Sequence, residues 1–331
     1  DAGGKEIPAG SDWYAENIGI NVGARQIVDW WMNSPDHRAA MLNPSATDIG
    51  LGWMKATGAG YSGQYVVVEN LAGYASTRAT TGAADNASIR DGDVAAVDGS
   101  GTLYVYPSAQ GADLWRRTYL GSGWSSALQI EVADWNSDGV QDVVTSWGNG
   151  TLTVNLGYKT GGLGAAVQVG SGGWGSYDIE VTKWAGADRF PGVLGKNKNT
   201  GLYYYYPNTT GGALGGRTEI GSGWESLTTM ALDFDGDGAM DILARNPAGQ
   251  LLLYRSNGLG QFTNEPRKVV GIGWAAMTHL SAVNNHLGDG RPGLLARDGA
   301  GNLYLYPVGN GAFSYPRTIG RGGWDTLLLG S

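Results

Sequence analysis

The sequence contains no cysteine, which excludes disulfides, thiolate metal sites and cysteine nucleophiles. It also lacks basic runs: 22 lysine and arginine residues face 30 aspartate and glutamate residues, for a net charge of −8. Duplex nucleic acid and anionic membranes are therefore poor partners. No apolar run reaches the roughly 18 residues of a membrane span. The chain begins at Asp1 without an initiator methionine or an apolar signal segment, which predicts a processed form.

Glycine and aromatic residues are abundant in this sequence. The chain has 57 glycines, 17 tyrosines and 13 tryptophans, whereas charged residues make up only 16%. Turn-rich, mainly β repeat proteins have this composition. The texture changes along the chain and predicts three parts: a small α/β domain over 1–74, a small-residue polar linker over 75–90, and a repeat region over 91–331.

One motif recurs every fifty residues in the repeat region. A tryptophan ends each glycine-rich signature, such as GSGW or SGGW, and an arginine and a Tyr-Pro strand recur in the same phase. Each unit has four strand candidates, and this length and strand number are typical of a β-propeller blade. The five signatures therefore predict five blades.

The two ends of the repeat region complement each other. The first unit begins at GDVAAVD (92–98) without a preceding strand, and the last stops at WDTLLLGS (324–331), which is the missing strand type. We expect the two segments to pair in one sheet and to remove the exposed edge strands of an open array.

Two segments share the pattern D-x-[DN]-x-D-G-x-x-D. Clustered oxygen ligands at this spacing suit calcium, with a backbone carbonyl at the seventh position, although an Asx-rich turn is the alternative. The sequence predicts two structural calcium sites, and no metal at the degenerate segments 184–192 and 285–293. The candidate ligands are Asp134, Asn136, Asp138, Val140 and Asp142, then Asp233, Asp235, Asp237, Ala239 and Asp241.

The segment DFDGDGAMDILAR followed by LLLYR resembles the FG-GAP or VCBS repeat family, and the five-fold repeat is similar to tachylectin-like propellers. The resemblance implies a secreted, extracellular protein that binds glycans or mediates adhesion and catalyses no reaction.

Each unit offers aromatic and arginine side chains for a sugar. The alternative is that each tryptophan is a core wedge between blades and each arginine pairs with a backbone carbonyl. The candidates are Trp124, Trp174, Trp224, Trp274, Trp324, Arg117, Arg217, Arg267, Arg317, Tyr106, Tyr206 and Tyr306.

The N-terminal region carries AENIG (15–19), WMNSPDHRAAMLNP (31–44) and IGLGW (49–53), with a helix expected from Ala24 to Met41 that breaks at Asn33-Ser34-Pro35. These motifs resemble the C-terminal half of the CAP (SCP, PR-1-like) family. The resemblance assigns Glu16 and His37 to that family's cavity, but the family's second histidine has no counterpart here. We therefore expect Glu16 and His37 to be structural remnants of that cavity. The alternative is that they form an acid–base or metal-binding pair.

A half domain exposes apolar surface that missing helices would cover. This favours a protein partner or the chain's own propeller as the covering surface, unless an upstream segment completes the domain. A protein–protein scaffold is thus the alternative function. The sequence has no G-x-S-x-G and no H-E-x-x-H motif, and an enzyme is the least favoured class.

Overall fold

The structure is a computed structural model that describes residues 13–43, 46, 48–58, 60–73, 87–109 and 114–331. The chain divides into two compact units, Asp1–Asp85 and Asn86–Ser331. Most of the predicted linker, 75–90, lies outside the described residues.

The first unit contains two helices and three strands within its described part. In chain order they are β1 (Trp13–Asn21), α1 (Ala24–Asn33), α2 (Pro35–Met41), β2 (Asp48–Lys55) and β3 (Tyr65–Gly73).

The predicted helix and its break are confirmed. Ile27 and Trp31, one helical turn apart in α1, are buried, and a side chain at Gly19 of β1 would contact both of them. The chain leaves α1 at Ser34 in an extended conformation, and Pro35 begins α2, where its fixed φ suits a first helical turn. The strands form one antiparallel sheet in the order β1-β3-β2, and both helices pack on β1.

The second unit is built of short strands. They are β4 (Val94–Val97), β5 (Thr102–Tyr106), β6 (Thr118–Ser122), β7 (Ala127–Ala133), β8 (Asp142–Trp147), β9 (Leu152–Asn155), β10 (Val167–Gly170), β11 (Tyr177–Thr182), β12 (Gly192–Asn197), β13 (Tyr203–Tyr206), β14 (Thr218–Gly221), β15 (Thr228–Leu232), β16 (Asp241–Arg245), β17 (Leu251–Tyr254), β18 (Lys268–Gly271), β19 (Met277–Asn284), β20 (Pro292–Asp298), β21 (Leu303–Gly309), β22 (Ala312–Phe313), β23 (Arg317–Gly320) and β24 (Leu328–Gly330).

These strands form five antiparallel sheets, one for each predicted repeat. Sheet 1 has the order β24-β4-β5-β6, sheet 2 β7-β8-β9-β10, sheet 3 β11-β12-β13-β14 and sheet 4 β15-β16-β17-β18. Sheet 5 has β19-β20-β21, with β23 and the short β22 both paired to β21. The prediction of a mainly β protein is confirmed, and so is the pairing of the two ends, since β24 pairs with β4 in sheet 1.

A hydrophobic cluster lies between each pair of consecutive sheets. In one of them Trp174 packs with Val144 of sheet 2 and Val193 of sheet 3. The last cluster joins Leu295 of sheet 5 to Val94 of sheet 1. Each sheet therefore buries both faces against its neighbours, and this burial is the main stabilising term of the unit.

A close approach between two backbone segments explains one glycine of each repeat. The N–H of Trp274 donates to the carbonyl of Gly249, in the β16–β17 turn, at 3.0 Å. Gly249 has a φ of +76°, and a side chain there would lie 2.5 Å from the backbone nitrogen of Ala275. Only glycine allows this close approach. The same bond recurs in every repeat, from Trp124, Trp174, Trp224 and Trp324 to Gly101, Gly150, Gly201 and Gly301 respectively.

The first strands of the five sheets lie side by side. Strand β7 contacts β24 and β11, and β15 contacts β11 and β19. At the end of the chain, Ser331 Oγ donates to the carbonyl of Ala282 in β19 at 2.6 Å. Neither of the described helices has the length or apolar character needed to span a membrane.

Candidate functional site

The first aspartate loop, residues 134–142, joins β7 to β8 and is closed by its own side chains. Asp134 accepts hydrogen bonds from the N–H groups of Asp138 and of the glycine that follows it, both at 2.9 Å. Asp138 accepts another from Val140 N at 2.9 Å, and Asn136 Nδ2 donates to Asp138 at 3.0 Å. Side chains that satisfy nearby backbone donors in this way hold a tight turn, and they bring together four of the five predicted ligands, Asp134, Asn136, Asp138 and Val140.

The second aspartate loop, residues 233–241, joins β15 to β16 with the same internal pattern. Asp233 accepts hydrogen bonds from two loop glycines at 2.8 and 3.0 Å, and Asp237 accepts one from Ala239 N at 2.8 Å. Asp233, Asp235 and Asp237 each offer an oxygen within 4.8 Å of the others. This group has the donor chemistry of a divalent cation site.

The last aspartate of each loop is buried and accepts hydrogen bonds from backbone N–H groups. Asp142 accepts the N–H of Trp135 at 2.8 Å and the N–H of Gly157 at 2.7 Å. Asp241 accepts the N–H of Ser256 at 3.0 Å, and its second oxygen is buried without a hydrogen-bond partner. Burial raises the pKa of both carboxyl groups to about 6. These carboxylates therefore connect the loop to the next hairpin, and a cation would lower the cost of their burial.

The degenerate loops of sheets 3 and 5 use their aspartates differently. Asp188 Oδ2 accepts the hydroxyl of Tyr205 at 2.5 Å and the N–H of Ala185 at 2.8 Å. Asp289 forms an ion pair with Arg291 at 3.3 Å. In the described part of either segment no group of three metal-ligating side chains comes together.

The five signature tryptophans are buried side chains of the core. Their exposed fractions run from 4% for Trp224 to 8% for Trp124 and Trp324. Each ring also contacts other aromatic rings, as in the pair of Trp224 and Tyr254, whose centroids are 4.4 Å apart. A ring that is more than nine-tenths buried has no free face for a pyranose, so burial favours the core-wedge interpretation of these residues.

The tyrosines that precede the prolines share this environment. The ring centroids of Tyr206 and Trp174 are 4.7 Å apart. The equivalent contacts, each at 4.5 Å, join Tyr106 to Trp324 and Tyr306 to Trp274. These tyrosines are half-buried, and the hydroxyls of Tyr106 and Tyr206 accept hydrogen bonds from Arg117 and Arg217.

The repeated arginines are exposed, and three of them stack on tyrosines. Sequence prediction missed Tyr104 and Tyr204, whereas Tyr254 lies at the strand position of Tyr206. The guanidinium carbons of Arg117, Arg217 and Arg267 lie 4.0, 4.1 and 4.5 Å from the ring centroids of Tyr104, Tyr204 and Tyr254.

Tyrosine hydroxyl groups also hold the arginine of sheet 3. Arg217 Nη1 donates to the hydroxyls of Tyr206 at 3.1 Å and Tyr177 at 3.2 Å. Arg317 is also exposed, but it pairs with Leu305, the position that Thr218 takes opposite Tyr205 in sheet 3, so the fifty-residue spacing does not place it in the same register. The available signal was strand alternation, because Tyr204 and Tyr206 stand two residues apart and share one face of β13.

A cavity of about 640 Å³ lies among the first strands of the five sheets. Its lining includes Glu131 of β7, Glu180 of β11, His279 of β19 and Arg245 of β16. The sequence analysis did not identify it, because residues of different repeats meet there without a shared motif.

Burial controls the charges in this cavity. Burial, together with the charge of Glu180, raises the pKa of Glu131 well above its usual range. Burial raises the pKa of Glu180 to about 7. Burial, and then the charge of Arg297, lowers the pKa of His279 to about 4. The cavity thus holds carboxyl groups that resist ionisation and a histidine that stays neutral at pH 7.

The N-terminal pair Glu16 and His37 is not brought together. Asn17 faces the helices, since its Nδ2 donates to the carbonyl of His37 at 3.2 Å. Successive residues of a strand point to opposite faces, so Glu16 points away from α2. Its nearest polar group is Tyr14, whose hydroxyl lies 3.4 Å away.

A different acid is buried in this unit. Glu69 of β3 is 4% exposed, and it accepts a hydrogen bond from Asn17 Nδ2 at 2.8 Å. Burial raises the pKa of Glu69, and the Asn17 bond partly offsets that effect. No sequence motif marks this pair, because Asn17 and Glu69 lie opposite each other only through the β1–β3 register.

Comparisons with known proteins place two segments in families. Residues 2–71 match the cysteine-rich secretory protein family, CAP. Residues 233–283 match the FG-GAP-like repeat. No curated protein matches the chain.

Solved structures include two similar proteins at low identity. The BP39L lectin from Burkholderia pseudomallei is 17% identical with a TM-score of 0.45, over 70% of this chain and 69% of that one. AofleA from Arthrobotrys oligospora is 9% identical with a TM-score of 0.37, over 73% of this chain and 89% of that one. The chain therefore joins a segment that matches the cysteine-rich secretory protein family to a region that contains a match to the FG-GAP-like repeat, as the motifs of both regions predict.

Proposed function

We propose that residues 91–331 form a closed five-bladed β-propeller that binds glycans outside the cell and catalyses no reaction. The pairing of β24 with β4 and the cluster between sheets 5 and 1 support the closed ring. The match of residues 2–71 to a secretory family supports the extracellular location. A net charge of −8 favours a neutral partner over a polyanion.

The observation that carries this proposal is the exposed arginine stacked on tyrosine in sheets 1, 3 and 4. A guanidinium presents a rigid fork of N–H donors that matches pairs of oxygen acceptors. Contact with the ring of Tyr204 and the hydroxyl of Tyr206 fixes Arg217 before a ligand arrives. Such preorganisation lowers the entropy cost of binding, and vicinal sugar hydroxyls are acceptors of suitable spacing.

Repetition raises the avidity of such sites. A single exposed arginine site gains little energy in water. Several equivalent sites on one rigid unit act together on a glycan-coated surface, because binding at one raises the effective concentration at the next. Adhesion to a cell surface or cell wall is the setting in which this arrangement is effective.

Calcium bound in the two aspartate loops would stabilise the propeller. The aspartates of each loop, together with the carbonyl of Val140 or Ala239, are the expected ligands. The oxygen spacing in the second loop and the unpartnered oxygen of Asp241 support this fit. A bound cation would neutralise the carboxylates and fix the turn between the first two strands of sheets 2 and 4.

Glycan binding is tested with the full chain on a glycan array in calcium-containing buffer. Hits are then measured by calorimetry with the triple variant Arg117→Ala, Arg217→Ala, Arg267→Ala. We expect binding in the wild type and its loss in the triple variant, whereas the control Arg291→Ala retains it. Silence of the wild type across the array would contradict the proposal.

A protein partner for the first unit is the second candidate function. Leu51 and Trp53 of β2 are 68% and 72% exposed, while the helices pack on β1. An apolar strand of this kind marks a protein contact site. We expect a partner to co-purify at fixed stoichiometry with the wild type and to be lost with Trp53→Ser.

A further inference from the structure

The two aspartate loops share one ligand spacing but face different side chains. Asn155 pairs with Val143, and Tyr254 pairs with Ile242. The next residues, Leu156 and Arg255, therefore occupy matched positions beside the last aspartate of each loop. One loop has an apolar neighbour at this position and the other has a cation.

Arg255 contacts the carboxylates of the second loop directly. Its Nε lies 2.6 Å from Asp235 Oδ2, and its Nη2 lies 3.5 Å from Asp237 Oδ2. Its Nη1 lies 3.6 Å from Glu265 Oε2, which holds the guanidinium from the other side. The charges of Asp235 and Glu265 raise the pKa of Arg255, so it stays fully charged.

Leu156 has no such contact with the first loop. It packs against the cluster that contains Trp135 and Val154. Among the described ion pairs, none involves Asp134 or Asp138. The carboxylates of the first loop are therefore balanced only by backbone N–H groups and the amide of Asn136.

The third residue of each aspartate loop differs between the two loops, as does the neighbouring residue, Leu156 or Arg255. Asn136 stands where the second loop has Asp235, so the first loop has one carboxylate fewer. Arg255 supplies one positive charge to the loop with the additional carboxylate. The two loops, counted with these neighbours, thus carry the same net charge by different means.

We propose that Arg255 is an internal counter-cation that holds the second loop in shape without metal and weakens its calcium affinity relative to the first loop. This inference rests on the proposed calcium role. Calcium needs the oxygens of Asp235 and Asp237 that the guanidinium occupies, and two cations a few ångströms apart repel. Calcium therefore has to displace the ion pairs of Arg255 with Asp235 and Asp237 in the second loop, whereas no described ion pair has to be displaced from the first loop.

The test is calorimetric titration of the full chain with calcium chloride. We expect two affinities about tenfold or more apart, which corresponds to loss of one charge-assisted hydrogen bond. The tighter phase should disappear in Asp134→Asn. Arg255→Gln should raise the affinity of the second phase about tenfold, and Arg255→Lys should raise it less.

Thermal unfolding in EDTA supplies a second measurement. Without metal, Arg255→Gln should melt below the wild type, because its carboxylates repel, and calcium should remove the difference. The control Arg291→Gln, whose arginine pairs with Asp289 in a loop without the aspartate group, should change neither the affinities nor the melting temperature in EDTA.

Two results overturn the inference, and they are distinguishable. Unchanged second-phase affinity in Arg255→Gln, with the first phase intact, would show that Arg255 does not compete with calcium. Absence of calcium heat in the wild type and in every variant would overturn the calcium role as well as this inference.

Discussion

Leu329 of the last strand lies opposite Ala96 of the first strand of the repeat unit. Leu329 is buried and packs with Val94, Ala96 and Trp324. The two residues are more than two hundred positions apart in the sequence, yet they belong to one sheet. Sheet 1 therefore forms only when both ends of the repeat region have been placed.

Truncation of this contact should destabilise the whole repeat unit. For Leu329→Ala we expect a loss of about 2–5 kcal/mol in the free energy of unfolding, the range for a buried leucine that leaves a cavity. Urea unfolding followed by tryptophan fluorescence measures the loss. Leu259→Ala is the control, because Leu259 is 81% exposed, and its effect should stay within about 0.5 kcal/mol. Equal stability of the two variants would show that the last strand is dispensable.

Removal of a signature tryptophan should lower the stability of the protein strongly and change its glycan affinity little. Trp224→Ala leaves a large cavity between sheets 3 and 4, and we expect a loss of about 3–5 kcal/mol. Glycan affinity per folded molecule, measured by calorimetry, should stay within about twofold at the sites of the other sheets. Normal stability together with lost glycan binding would contradict the assignment of Trp224 to the core.

The repeat period predicted the number of sheets and the pairing of the ends, because these follow from chain order and strand pattern. The period did not separate a core tryptophan from a ligand platform, since both roles place Trp174 or Trp224 at the same spacing. What decides between them is the packing of the ring against a neighbouring sheet, which is a relation between repeats.

The site residues also divide into those found from a local motif and those that depend on contacts between distant residues. The aspartate loops are local, so their spacing in the sequence was sufficient to find them. The ion pair of Arg255 with Asp235 and the electrostatic interaction of Glu131 with Glu180 join residues that are distant in the sequence, and no local motif records them. In the first unit, strand register turns Asn17 and not Glu16 towards α2, a choice that motif matching does not make.

Glu180 should make the stability depend on pH near neutrality. Its pKa is about 7 in the folded protein and near 4.3 in an unfolded chain, so the folded state binds the proton more tightly. Stability therefore falls as the pH rises from about 4.5 to 7 and is lowest above that range. We expect Glu180→Gln to remove up to about 3 kcal/mol of this fall, measured by urea unfolding at pH 5 and pH 8. Identical slopes in variant and wild type would contradict the buried position of this carboxyl group.

His279 should contribute a dependence of the opposite sign. Its pKa is lowered to about 4 by burial and is near 6.5 when the chain is unfolded, so the unfolded state takes up the proton first. The contribution of His279 is fully present above pH 6.5 and is lost as the pH falls towards 4. His279→Gln, which keeps a neutral polar group beside Ser281, should remove up to about 3 kcal/mol of this loss.

The two groups are separated by the pH at which each variant differs from the wild type. Above about pH 7.5 His279 is neutral in both the folded and the unfolded state, so His279→Gln should follow the wild-type slope there and depart from it below. The two contributions have opposite sign and similar size, so they largely cancel in the wild type between about pH 4.5 and 6.5, and the double variant should keep a slope close to that of the wild type. Each single variant should instead change the slope, in opposite directions, measured by urea unfolding in calcium-containing buffer. Single variants that both keep the wild-type slope would show that other groups set the pH dependence of stability.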